Sequence, residues 1–134
     1  MKEGKKTVWV NGCFDVLHLG HIRLLKYARS LGDELVVGLD SDAKIKKDKG
    51  LSRPFNNFGD RQEFLKAIKF VKRVVTFNTP AELEKAIEIT QPDIMVIGSD
   101  WKGKHIVGGH HAKEIVYFER YGDYSTTKIL EYEK

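Results

Sequence analysis

The feature that most constrains this chain is a repeated change in the period of its apolar residues. Short runs rich in Val, Ile and aromatic residues stand at positions 7–10, 34–39, 73–77 and 93–97, with a fifth candidate at 115–118. Runs of this length and composition read as buried strands. Between them the spacing becomes helical. Ile22, Leu25, Ala28 and Leu31 recur every third residue, Leu24 widens the stripe, and Gly32 follows as a C-terminal cap. Phe64, Leu65, Ile68 and Val71 form a second stripe. A third runs through Leu83, Ala86 and Ile87, entered at Pro80 after the N-cap candidate Thr79 and closed before Pro92. Strands that alternate with helices imply right-handed crossovers and a parallel sheet covered on both faces. The expected architecture is therefore a three-layer α/β domain with about five strands.

Length and composition are consistent with this. The 134 residues suit one domain, and 41% hydrophobic against 31% charged residues is ordinary for a chain that buries a core. No repeat or low-complexity tract divides the chain. No apolar run reaches the roughly 20 residues of a membrane span, and the N-terminal residues resemble no signal peptide. The single cysteine, Cys13, cannot form an internal disulfide, so a reducing, cytoplasmic setting is expected. Charge is unevenly placed. Lys44, Lys46, Lys47, Lys49 and Arg53 face only Asp48 in one stretch, which carries the whole net charge of +4. A local cationic segment, read here as a loop, suits a small anionic ligand. With no aromatics interleaved among its basic residues, it is a thin footprint for nucleic acid.

In a parallel α/β sheet, ligands sit at the carboxyl ends of the strands, and the informative residues follow the strands here. Asn11-Gly12-Cys13-Phe14-Asp15 leads into His18-Leu19-Gly20-His21 after the first run, and Gly98-Ser99-Asp100-Trp101 follows the fourth. The first turn lacks the Gly-x-Gly-x-x-Gly fingerprint of dinucleotide binding. It offers instead two histidines three residues apart, on one face at the start of a helix. A helix N-terminus with free N–H groups suits a phosphate chain, and Gly20 would let that chain come close.

His18-Leu19-Gly20-His21 resembles the His-x-Gly-His signature of the nucleotidylyltransferase superfamily. Ser125-Thr126-Thr127-Lys128-Ile129 is similar to that superfamily's second signature, and the resemblance covers nearly the whole chain. It implies a single Rossmann-like domain over residues 1–134. It also implies a reaction: an acceptor phosphate oxygen attacks the α-phosphorus of a nucleoside triphosphate, expelling pyrophosphate without a covalent enzyme intermediate. On this resemblance His18, His21 and Lys46 are catalytic. Gly12, Cys13, Phe14, Gly20, Asp100, Trp101, Arg120, Ser125, Thr126 and Thr127 line the nucleotide, with the Phe14 ring itself in the core. Asp15, Lys49 and Arg61 fall on the acceptor-phosphate side, Arg61 helping to order the site. Asp15 has two readings, a ligand of a phosphate-bound metal or a cap of the first helix. Trp101 also has two, stacking on the base or plugging the sheet edge. The resemblance implies Mg²⁺ carried mainly by substrate phosphates, and a homodimer.

The acceptor and base stay open between two branches. Asn11-Gly12-Cys13-Phe14-Asp15, Lys49-Gly50, Ser52-Arg53-Pro54 and Ile106-Val107-Gly108 resemble the heptose-phosphate adenylyltransferases. Asp100-Trp101-Lys102-Gly103-Lys104 and Arg120 resemble the glycerol-3-phosphate cytidylyltransferases. A sugar phosphate and ATP are the preferred pair. A third reading is a nucleotide-binding module without turnover. His105, His110 and His111 cluster along the chain, but no spacing completes a tetrahedral zinc set, so His110-His111 reads as a surface pair or an acceptor-site contributor, with no protein-held metal expected.

Overall fold

The computed structural model describes residues 4–119. Five strands form one parallel sheet: β1 (Thr7–Gly12), β2 (Glu34–Asp40), β3 (Arg73–Phe77), β4 (Ile94–Gly98) and β5 (Glu114–Phe118), in the spatial order β3-β2-β1-β4-β5. Each of the five apolar runs is a strand. The helices are α1 (Leu19–Ser30), α2 (Asp42–Lys49), α3 (Phe58–Lys66) and α4 (Pro80–Thr90), and two 3-10 turns cover Ser99–Trp101 and Gly109–His111.

Alternation along the strands divides the core in two. Val8, Val10, Leu35, Val37, Leu39, Ile94 and Val96 face Leu25 and Ala28 of α1 and Leu65 of α3. Trp9, Val36 and Met95 point the other way, onto Leu83 and Ile87 of α4. This is the expected three-layer arrangement. Gly38 of β2 is dictated by that second layer, because a Cβ there would lie 2.5 Å from the indole of the fully buried Trp9. The order of strands reverses between β1 and β4, so the loops after these two neighbours face one another at the switch point.

Three local expectations are corrected. The cationic stretch is largely helix α2, started by Ser41, whose hydroxyl accepts from the Lys44 N–H at 3.1 Å. Ile45 alone anchors it in the core, too little apolar periodicity to announce a helix. The second stripe is displaced: α3 starts at the Asn57 cap and ends before Ile68 and Val71, which pack on the same core from the turns beyond. Gly32 does follow α1, but it is required by close approach. A Cβ there would meet the Lys6 carbonyl oxygen at 2.8 Å, and the C-cap is Leu31 in right-handed conformation. The third helix matches its reading, with Thr79 as cap, Pro80 in the first turn and Gln91 left-handed at its end.

Candidate active site

The β1–α1 junction is built around the two histidines. His18 is the N-cap of α1, and its Nδ1 accepts from the Gly20 N–H at 3.1 Å. The His21 imidazole reaches back, its Nδ1 accepting from the His18 N–H at 3.2 Å. The result is a reciprocal capping box made of imidazoles, with ring centroids 3.9 Å apart. The helix N-terminus therefore does not present its Gly20 and His21 N–H groups to a ligand as expected, since His18 already holds them. With Nδ1 accepting, the neutral ring carries its proton on Nε2, so both rings are set as Nε2–H donors. Burial, with His18 beside it, lowers the His21 pKa from 6.5 to about 4, so this ring is neutral near pH 7. Phe14, its ring 5.3 Å from that of His21, is 3% exposed and belongs to the core as read; its left-handed backbone (φ 44°) makes the sharp turn off β1.

Asp15 fits neither of its two readings. Its carboxylate has no exposure and accepts from Arg53 Nε at 2.9 Å, the Phe55 N–H at 2.8 Å and the Asn56 N–H at 2.8 Å. Asn56 Nδ2 donates in turn to the Asp15 carbonyl at 2.9 Å. Asp15 thus pins the 53–56 segment to the end of β1, and its oxygens are taken. Arg61 also departs from the phosphate-binding assignment. It is fully buried on α3, donating to the carbonyls of Cys13 and Asp40 at 2.8 Å, to that of Asn56 at 3.0 Å and to Asp42 Oδ1 at 2.6 Å. It joins the ends of β1 and β2 to α2 and to the 53–56 segment, which is an ordering role.

The cations of α2 divide. Lys44 is held between Asp48 at 2.7 Å and Asp40 at 3.5 Å. Burial raises the pKa of Asp40, and Lys44 opposes that rise. Lys46 is exposed and donates from Nζ to the Arg53 carbonyl at 3.1 Å, while Lys49 is exposed in the last turn. After β4, Ser99, Asp100 and Trp101 form a 3-10 turn against the edge strand β5, and Trp101 is 44% exposed. Gly12 ends β1 against the Phe14 ring, and Cys13 contributes its carbonyl to Arg61. Arg120, Ser125, Thr126 and Thr127 lie outside the described residues. Sequence reasoning missed Arg53 and Asn56 as parts of this framework, and nothing local signals them, because their partner Asp15 lies 38 and 41 residues away.

An all-parallel sheet with a histidine-capped helix at its strand-order reversal places the chain among the open α/β domains that take their ligands at that crevice. The chain belongs to the Cytidylyltransferase-like family, whose pattern it matches over residues 9–132. It is 48% identical over 132 residues to the Bifunctional protein HldE of a Nitratiruptor species, covering 97% of this chain and 28% of that protein. It is 46% identical to the Bifunctional protein HldE of Campylobacter concisus, covering 96% and 27%. The chain thus spans about a quarter of the length of these relatives. Among solved structures it resembles the lipopolysaccharide core biosynthesis protein from Thermoplasma volcanium, with a TM-score of 0.71 at 26% identity over 89% of this chain and all of that one. The pantoate-beta-alanine ligase from Francisella tularensis shares the fold, with a TM-score of 0.66 at 15% identity over 92% of this chain and 62% of the ligase. Among the described residues, no helix is long and apolar enough to cross a membrane.

Proposed function

We propose that this chain is an adenylyltransferase that joins the AMP moiety of ATP to a heptose phosphate. The observation that carries the reading is the imidazole pair, fixed by reciprocal hydrogen bonds at the switch point of a Cytidylyltransferase-like domain. An acceptor phosphate oxygen attacks the α-phosphorus, the bond from that phosphorus to the bridging oxygen breaks, and pyrophosphate leaves. His18 and His21 donate Nε2–H bonds to phosphate oxygens whose charge grows in the transition state, and Lys46 and Lys49 add positive charge from the exposed side of α2. Asp15 and Arg61 position this framework without touching substrate. The nucleotide enters as its magnesium complex. Asp15 and Asp42 are engaged by Arg53 and Arg61 and Asp40 lies beside Lys44, which suits an ion carried by phosphate oxygens.

The heptose-phosphate acceptor rests on two supports. Lys49-Gly50, Ser52-Arg53-Pro54 and Ile106-Val107-Gly108 resemble that branch, and relatives 44–48% identical over almost the whole chain bear the HldE name, which goes with it. The cytidylyltransferase and the non-catalytic readings are not favoured by these relatives. Pyrophosphate release, with ATP and CTP each offered against heptose 1-phosphate and glycerol 3-phosphate, tests the choice. Turnover with ATP and the heptose alone is expected; turnover with CTP and glycerol phosphate would overturn it. Replacing His18 or His21 with alanine should lower kcat by at least about 10²-fold, and near-normal turnover would remove that histidine from the mechanism. The chain is further proposed to act as a cytoplasmic homodimer, which a monomer in sedimentation at micromolar concentration would refute.

A further inference from the structure

On the α4 side of the sheet, Glu84 of α4 meets His110 and His111 of the second 3-10 turn. The meeting follows from backbone packing. Gly108 has a φ of 73° and lies so close to α4 that a Cβ would stand 2.6 Å from Ile87 Cδ1. Glu84 is three residues before Ile87, on the same helical face, and so lies beside the turn. Glu84 Oε2 is 3.5 Å from His111 Nε2 and 3.7 Å from His110 Nε2, and the two imidazole centroids are 4.0 Å apart. One ligand atom from each residue lies within 4.8 Å of the others.

These separations exceed the roughly 2.7–3.2 Å of an N–H···O hydrogen bond. The two Glu–His separations approach the edge of a tetrahedron whose bonds are about 2.0–2.1 Å, an edge of roughly 3.4 Å, and the two imidazole nitrogens lie within 4.8 Å of each other. We propose that Glu84, His110 and His111 form a site for a zinc-class divalent cation, independent of the adenylyl-transfer reading. Two imidazole nitrogens and one carboxylate favour a first-row transition ion over Mg²⁺ or Ca²⁺. The exposed side chains of His110 and Glu84 leave the fourth position to water. A bound ion ties α4 to the connection between β4 and β5, the segment that opens with the Ser99–Trp101 turn. Sequence spacing gave no sign of this set, because its third member is 26 residues before His110 on another element.

The test uses tag-free, chelator-treated full chain titrated with Co²⁺ and then Zn²⁺. One equivalent of Co²⁺ should give the visible absorption of a tetrahedral site, and Zn²⁺ should abolish it. Glu84→Gln and His110→Ala should each weaken Co²⁺ binding at least about 10-fold. Their metal-free urea unfolding should match that of the unaltered chain, since both side chains are exposed, and His105→Ala should bind like the unaltered chain. No uptake at equimolar Co²⁺ would overturn the site. So would binding that persists in both variants but disappears in His21→Ala, which would put the ion on the α1 pair.

Discussion

Asp15→Asn isolates what the buried carboxylate does, because the amide keeps its shape and removes its charge. Three donors converge on two oxygens, with Oδ2 accepting from Arg53 Nε and the Phe55 N–H, and Oδ1 from the Asn56 N–H. Asparagine retains one acceptor oxygen. In its better orientation the Asn56 N–H then faces an NH₂ group, and a buried donor left without an acceptor costs about 1–3 kcal/mol. Arg53, 13% exposed in its side chain, also loses the counter-charge of a fully buried carboxylate. Breaking a buried pair from one side costs about 3–5 kcal/mol. The two estimates describe overlapping contacts, so about 3 kcal/mol is the expectation. With a urea dependence of about 1.5 kcal/mol per molar, the unfolding midpoint should fall by roughly 2 M with an unchanged slope. Arg53→Met should show strong coupling to Asp15→Asn in a double-mutant cycle, whereas independent effects would deny the pair. A midpoint shift below about 0.5 M would refute the view that Asp15 holds the 53–56 segment in place.

Other outcomes follow from single contacts. The His21 pKa falls from 6.5 to about 4 on folding, so the unfolded chain takes up the proton more readily; this histidine's contribution is intact above pH 6.5 and is lost as pH falls toward 4. Loss of roughly 1–2 kcal/mol across that window, after allowing for the part-exposed ring, should be absent in His21→Asn, and identical urea midpoints against pH for both proteins would contradict it. Gly38→Ala places a methyl 2.5 Å from the Trp9 indole and should cost about 1–3 kcal/mol in thermal or urea unfolding, with altered tryptophan fluorescence. Arg61→Met should lower stability and turnover together while leaving the KM for the nucleotide within a few-fold, because Arg61 orders the strand ends rather than touching phosphate; a rise in KM alone would return it to the binding surface.

How much was legible divides along physical lines. The order of elements, the three layers and the position of the histidine pair were readable because each depends on residues a few positions apart. A strand declares itself by a short Val- and Ile-rich run, and α4 by Thr79, Pro80 and the Leu83 to Ile87 spacing, all within one or two turns of chain. Helix α2 was hidden because one buried residue, Ile45, makes no stripe, although Ser41 before Asp42 was a usable start signal. The sequence placed His18 and His21 at the site, but tertiary and local geometry decided their state: capping each other, and with His21 held neutral by burial. Tertiary structure alone decided that Asp15 faces Arg53 and Asn56, that Arg61 spends its donors on three carbonyls and Asp42, and that Glu84 meets His110 and His111. Such partners lie tens of residues apart on different elements, and side-chain periodicity carries no information about which distant group a buried charge will find.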